Sequence, residues 1–476
     1  MHKKNEKIAV IGGGIAGVCT AALLSLKGFE VHLYERSNRL GGCSGSFKRN
    51  GYDFNIGATT IAGLKERFPV QKILSKFSIK QKIVSQEPSI IVLTPKGVIR
   101  RSSSLEETLD EIQRVFPNKG NEKFWRKVYS ITHDVLMFEY YNNLSSMKEC
   151  LKSFLSLKEL IIKNGYYFLT PAQEGLKRYL PNLDNDYYDF IESHVKIVAQ
   201  STIRDVNFLT LLLSLGYPFT GIGYPVEGMD NFINELAKNF SYHLNTEVTY
   251  ISTKNNGYLI RGIFGEEFYN RAILALPFLE NFSIIKDRKL KHYLERYLIL
   301  KSDQSAIVLY GVIRDFCPDG KFYLKVLKKP LPFTDSKYLF CSFNNISKGK
   351  ENLTVFTASC HTKISKWKDL VPEIYNKKKI ILGEIMKEQI TEAFGINKAQ
   401  IVDSFIATPE TFYKYLKRRS VGGIPITRKN AFWKIPSNFT PFKGFYLVGD
   451  SSFCYQGWIG VSIGVRNLVE NFNEKI

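Results

Sequence analysis

Lys7-Ile8-Ala9-Val10-Ile11-Gly12-Gly13-Gly14-Ile15-Ala16-Gly17 opens the stretch that decides the fold; Val18–Lys27, Gly28 and Val31-His32-Leu33-Tyr34-Glu35 complete it. The first five residues form a short apolar run of strand type. Gly12-x-Gly14-x-x-Gly17 follows at once. Val18–Lys27, rich in Ala and Leu, reads as a helix stopped by Gly28, and Val31–Tyr34 reads as a second strand ending in Glu35. In such a unit Gly12 permits the tight turn, Gly14 lets the backbone approach a pyrophosphate, and Gly17 lets helix and strand pack closely. The helix start at Ile15 and Ala16 offers amides and a positive dipole to phosphate oxygens. Glu35 lies about 20 residues on, where a carboxylate accepts hydrogen bonds from the adenosine ribose. Alone the glycine spacing is weak; with strand, helix, second strand and acid in place it specifies a dinucleotide site.

The acid does not separate a flavin from a nicotinamide dinucleotide, but the next residues do. Arg36-Ser37-Asn38-Arg39-Leu40-Gly41-Gly42 resembles the extended flavin fingerprint of the amine oxidase and phytoene desaturase superfamily. That resemblance implies FAD, with Arg36, Arg39, Gly41 and Gly42 at its diphosphate and flavin edge. At the other end of the chain, Gly444–Val448 reads as a strand ended by Gly449-Asp450, and Gln456-Gly457-Trp458-Ile459-Gly460-Val461 opens a helix running to about Phe472. An acid at a strand end beside a Gly-rich helix start repeats the logic of the first site. Asp450 is placed to accept from ribityl hydroxyls, and the helix start to stabilise negative charge on a reduced flavin ring.

This segment resembles the carotenoid isomerase branch of the phytoene desaturase family, which includes retinol saturase-like enzymes. The branch typically ends Gly-Asp-Ser, two residues, then Pro-Gly-Gln-Gly; here Cys454 and Tyr455 stand in place of Pro-Gly. Tyr455, Gln456 and Trp458 are the candidates to stand near the flavin. Thr408-Pro409-Glu410-Thr411 and Gly422-Gly423-Ile424-Pro425 fit the same branch, as does Tyr224-Pro225 before a helix over 230–239 and a strand over 247–251. The resemblance implies that this strand meets the adenine through Val248.

The expected fold is therefore α/β. A Rossmann-like FAD-binding domain is assembled from 1–70, 221–290 and 400–476, and an α+β substrate domain from 71–220 and 291–399. The segment 71–220 reads as mostly helical; Ser305–Ile313, Phe322–Val326, Tyr338–Phe343 and Leu353–Ser359 read as a mostly antiparallel sheet, a floor for a substrate tunnel. Aromatic stretches such as Phe138–Tyr141 and Tyr166–Phe168 are candidates for its lining, and Glu192, His194 and Arg204 are candidate polar groups. Leu151–Lys163 reads as one basic amphipathic helix, expected to cover a core rather than lie on a membrane.

No Ser-His-Asp set or paired-carboxylate site is legible, which fits a cofactor doing the chemistry. Seven scattered cysteines without a CxxC pair argue against a metal site and a disulfide framework and for a reducing, cytoplasmic interior. The N-terminal Met1–Lys7 is too short and polar for a signal peptide, and no apolar run approaches the roughly 20 residues of a membrane span. The net charge of +21 suits an anionic membrane surface or reflects a lysine-rich composition; no nucleic-acid module accompanies it. The resemblance implies desaturation, saturation or redox-dependent cis–trans isomerisation of an apolar polyene, a carotenoid or other isoprenoid. The alternatives are an amine oxidase-like flavoenzyme and a flavin-binding partner without turnover.

Overall fold

The computed structural model describes residues 6–348, 351–430 and 434–472; Met1–Asn5, part of the polar start read above, lie outside them. Along the chain, β1 (Lys7–Ile11), α1 (Ile15–Leu26) and β2 (Glu30–Tyr34) are followed by the hairpin β3 (Ile90–Thr94) and β4 (Gly97–Arg101). Helices α2 (Asn121–Leu136), α3 (Met147–Ser156), α4 (Lys158–Leu169), α5 (Asn185–Ala199), α6 (Phe208–Gly216) and α7 (Met229–Ala237) come next. Then come β5 (Ser241–His243), β6 (Arg271–Leu274), β7 (Gln304–Arg314), β8 (Phe322–Val326), β9 (Tyr338–Lys348), β10 (Glu351–Lys363) and β11 (Ile401–Ala407). The chain closes with α8 (Pro409–Leu416), β12 (Phe445–Leu447) and α9 (Gly457–Glu470).

A parallel sheet of order β5-β2-β1-β6-β12 forms the dinucleotide unit. Its middle strand is covered on both faces: Ile8, Ala9 and Val10 have no solvent exposure. That is why β1 is a continuous apolar run rather than an alternating one. Ile8–Ile11 pairs with Arg271–Leu274 on one side and Val31–Tyr34 on the other. The last helix, α9, packs on α1, as does α7. Residues hundreds of positions apart thus meet around the first glycine turn.

A second sheet of order β11-β7-β10-β9-β8-β3-β4 is antiparallel except for the β8–β3 pair. Three of its members depart from the sequence reading. The hairpin β3–β4 lies within the segment read as mostly helical, where the apolar run Ile90–Leu93 supplies an edge for β8. Ile401–Ala407, read as part of the dinucleotide domain, instead pairs with β7, whose buried backbone needs a partner along its outer edge. The register aligns Val308, Ser359, Phe340 and Leu324 in one row across four strands.

The amphipathic stretch is not one helix. It breaks at Leu157 between α3, capped by the Ser146 side chain on Glu149 N, and α4. Nor does it cover a core with its apolar face: Leu151, Phe154, Leu155, Ile161 and Ile162 are exposed. Periodicity reported the amphipathic pattern but not what lies against it. Among the described residues, no helix is long and apolar enough to cross a membrane.

Candidate functional site

The turn after β1 is built by contacts that exclude side chains. Gly12 sits at φ +111°, where its amide donates to Tyr34 O (2.9 Å) and an added Cβ would lie 2.8 Å from Ala275 O. A Cβ on Gly17 would lie 2.0 Å from Gly12 O, so α1 rests directly on the turn. At Gly14 the opposite holds: a Cβ would meet nothing within 4 Å. The backbone there faces a space, and no side chain caps α1 at that residue.

That space is part of one cavity of about 570 Å³. At one end it is lined by Gly12, Gly14, Ile15, Ala16, Glu35, Arg36, Gly41, Gly42, Val248, Gly449, Asp450, Tyr455, Gln456, Gly457, Trp458 and Ile459, which were expected in the site. Glu35 is fixed by Gly13 N on Oε2 (2.7 Å) and by Ser37 N and Oγ on Oε1 (2.8 and 2.7 Å), leaving acceptor capacity on Oε2. Gly41 N donates to Gly13 O (2.7 Å), locking the second glycine turn onto the first. Two expected residues do not line the cavity. Gly17 is a packing contact behind it. Arg39 is held away by the Ser46 carbonyl and the Asp230 carboxylate (3.8 Å).

Sequence reading missed Arg418. Its guanidinium, nearly buried, donates to Asp450 Oδ2 (2.9 Å) and to Ser420 O (2.7 Å) and lines the cavity. Burial pulls its pKa down, but the Asp450 carboxylate, with Cys43 and Glu280 beside it, raises it above its ordinary value. An Arg418–Asp450 ion pair is therefore fixed at the cavity wall. The only sequence signal was its place in a basic run ahead of Gly422-Gly423. Those glycines also have a steric reason: a Cβ on Gly423 would lie 2.0 Å from Asp450 O. Gln456 is tied to the helical layer by Gln200 Nε2 (2.8 Å) and through its own amide to Val198 O. Tyr455, where the family pattern has glycine, holds φ +73°, and its hydroxyl donates to Asn430 O (3.3 Å).

The cavity continues beneath the second sheet. Ala306, Val308, Leu324, Tyr338, Phe340, Ser359 and His361 form its floor; Leu136, His194, Ile197 and Leu213 from α2, α5 and α6 form its roof. The aromatic groups 138–141 and 166–168 take no part in this lining. Tyr140, for example, is turned to Val135 O (2.8 Å). Glu192 and Arg204 do not line it either; Glu192 accepts from Ile203 N (2.7 Å). Of the three polar candidates only His194 does. Its Nδ1–H donates to Phe190 O (2.8 Å), and its Nε2 is buried without a partner.

Burial lowers the His194 pKa from 6.5 to about 3, with the Arg101 charge acting the same way. The unfolded chain takes up this proton below about pH 6.5 while the folded chain refuses it until about pH 3. The unfolded state thus binds more protons in that window, and stability falls as pH falls through it. The contribution lost by about pH 5 is about 2 kcal/mol. Urea denaturation of the protein and of His194→Phe at about pH 7 and about pH 5 tests this: the variant is expected to lose less stability on acidification. Equal losses would remove His194 from the account.

A family profile described as an NAD(P)-binding Rossmann-like domain matches residues 10–77. The chloroplastic prolycopene isomerase of Daucus carota is 26% identical over 494 residues, covering 95% of this chain and 77% of that protein. That similarity runs over nearly the whole chain. A 4,4'-diapophytoene desaturase of Staphylococcus aureus is 42% identical over 55 residues, 12% of this chain and 11% of that protein. Wild-type putrescine oxidase, solved with putrescine bound, shares the fold at TM-score 0.63 and 14% identity, covering 98% of each chain. That likeness spans both the α/β dinucleotide unit and the largely antiparallel sheet described above.

Proposed function

We propose that this protein is an FAD-dependent enzyme that desaturates, saturates or isomerises a long apolar polyene. One observation carries the reading. A single cavity joins the open backbone at Gly14 to an apolar chamber between sheet and helices, so a dinucleotide at one end shares the space with an elongated hydrocarbon at the other. The residues present fit the cofactor. Trp458 Nε1 is a buried donor without a partner at the cavity wall, Gly14 leaves room for a diphosphate, and Glu35 Oε2 retains an acceptor site for a ribose. When bound, a flavin supplies hydride exchange with carbon and, in its reduced form, electron density for a conjugated chain.

The remaining roles fall to the protein. Gly12, Gly14, Ile15 and Ala16 present α1 to the diphosphate; Glu35 and Arg36 hold the adenosine side, with Val248 on the adenine; Gly41 and Gly42 close over the diphosphate. Gly449, Asp450 and the start of α9 at Gly457, Trp458 and Ile459 hold the ribityl and ring. Tyr455 and Gln456 bound the reacting region, and Arg418 orients Asp450. Residues 1–70, 221–290 and the part of 400–476 after β11 act as the cofactor-binding domain, and 71–220 with 291–407 as the substrate domain. A polyene partitions into lipid rather than water, so its reservoir is a membrane surface, and the charge of +21 suits an anionic one. The amine oxidase reading is weaker: the chamber wall of Leu136, Ile197, Leu213, Val308, Leu324 and Phe340 gives a small polar amine little to bind.

The test is an absorption spectrum of the purified protein with the released cofactor identified, followed by anaerobic incubation with cis and trans polyenes. FAD release and polyene turnover are expected. Product from chemically reduced enzyme alone selects isomerisation or saturation; product from oxidised enzyme with an acceptor selects desaturation. A protein that binds no FAD on reconstitution, or an FAD protein that oxidises amines and leaves polyenes untouched, overturns the reading.

A further inference from the structure

Helices α3 and α4, which abut at Leu157, leave a stripe of apolar side chains exposed. Met147, Ile162 and Leu169 are 91%, 73% and 78% exposed, with Leu151, Phe154, Leu155, Ile161 and Tyr166 exposed around them. The only fully buried residues of the two helices are Ser153 and Asn164. The two helices are nonetheless seated. Leu157 and Leu160 pack inward onto the core that also holds Leu136, and α4 packs against α2 and α6. An exposed apolar face of this kind marks an interaction surface.

We infer that this face docks on an anionic lipid bilayer, with both helices lying in the plane of the headgroups. Three observations fix the occupant. The helices have 10 and 12 residues, about half of a span, so they lie in the interface and do not cross it. Lys148, Lys152, Lys158 and Lys163 outnumber Glu149 and Glu159 along the same exposed segment, the pattern that draws an amphipathic helix to anionic lipid. The whole chain carries +21, which repels a second copy and attracts an anionic surface.

The position serves the cavity. Leu136 of α2 and Leu213 and Ser214 of α6 line it, and α4 lies on the outer side of those two helices. A lipid-dissolved ligand at the docked face is separated from the chamber by one helical layer. This part rests on the polyene reading above; the docking itself does not.

The test is co-sedimentation of the flavin-loaded protein with phosphatidylglycerol/phosphatidylcholine vesicles that contain no polyene. Binding is expected, weakening as salt rises. The triple variant Leu151→Ser/Ile162→Ser/Leu169→Ser replaces exposed side chains only. It is expected to keep the flavin spectrum and to lose at least about tenfold in vesicle partitioning. Replacing Lys148, Lys152, Lys158 and Lys163 with Gln is expected to remove the preference for phosphatidylglycerol over pure phosphatidylcholine. Wild-type protein that stays in the supernatant, or a triple variant that binds like wild type, overturns the inference. So does a solution dimer that the triple variant converts to monomer without any vesicle binding, which would make the face a self-interface. Turnover of polyene in detergent micelles is read separately: its failure with vesicle binding intact sinks the polyene reading and leaves the docking face standing.

Discussion

Arg418→Leu is expected to cost about 3 kcal/mol of folding stability, and adding Asp450→Asn is expected to return most of it. The pair is 2.9 Å apart, with the two side chains 10% and 20% exposed. Removing the cation leaves a carboxylate largely cut off from water, with its attraction gone and its desolvation retained. Neutralising that carboxylate removes the second penalty, which is why the double variant should be more stable than the single one although it has lost both charges. Urea denaturation of the wild type and the three variants, carried out on the apoprotein so that cofactor affinity does not enter, reads the cycle directly. A double variant no more stable than Arg418→Leu would show that Asp450 is not what Arg418 holds.

The second large effect separates two glycines of one motif. Gly17→Ala places a methyl group 2.0 Å from Gly12 O, a backbone atom that no side-chain rotation can clear. Helix α1 must lift from β1, at a cost on the order of 3 kcal/mol, and flavin retention should fall with it. Gly14→Ala meets no protein atom within 4 Å, so its melting curve as apoprotein should match the wild type. If the diphosphate lies where proposed, the methyl group takes its space, and flavin retention should still fall by at least about tenfold. Flavin-to-protein absorbance after gel filtration and apoprotein melting, measured on both variants, give a two-by-two outcome. Normal flavin retention in Gly14→Ala would move the diphosphate elsewhere.

These glycines explain why the dinucleotide end was readable from sequence: each is dictated by a clash or an open space, and the spacing carries that geometry. Glu35 was readable for the same reason, as its carboxylate is reached by Gly13 N across the turn. Arg39 was not, because an arginine can reach several acceptors, and here a carbonyl and Asp230 won over the cavity. Arg418 was hidden because nothing local marks one cation of a basic run as the buried one; its partner lies 32 residues further on. The second sheet was legible strand by strand from 304 to 363 but not in membership. Whether β3, β4 and β11 join it depends on edges left open elsewhere, a tertiary matter. The face of α3 and α4 shows the same limit: the period of an apolar stripe says that one side differs from the other, and not whether protein or lipid meets it.

The parallel sheet has a consequence for how the molecule comes into being. Its central strand is finished at Ile11, but the strand at the far edge begins at Phe445, and α9, which completes the glycine-lined pocket, closes only at Glu470. At roughly 5–20 residues per second of synthesis, tens of seconds separate the two ends. Throughout that time β1, one of the most apolar segments of the chain, waits on the ribosome without its full set of partners. Cofactor capture therefore waits until α9 has left the ribosome. A chain stopped before α9 should emerge without flavin however well its first seventy residues fold.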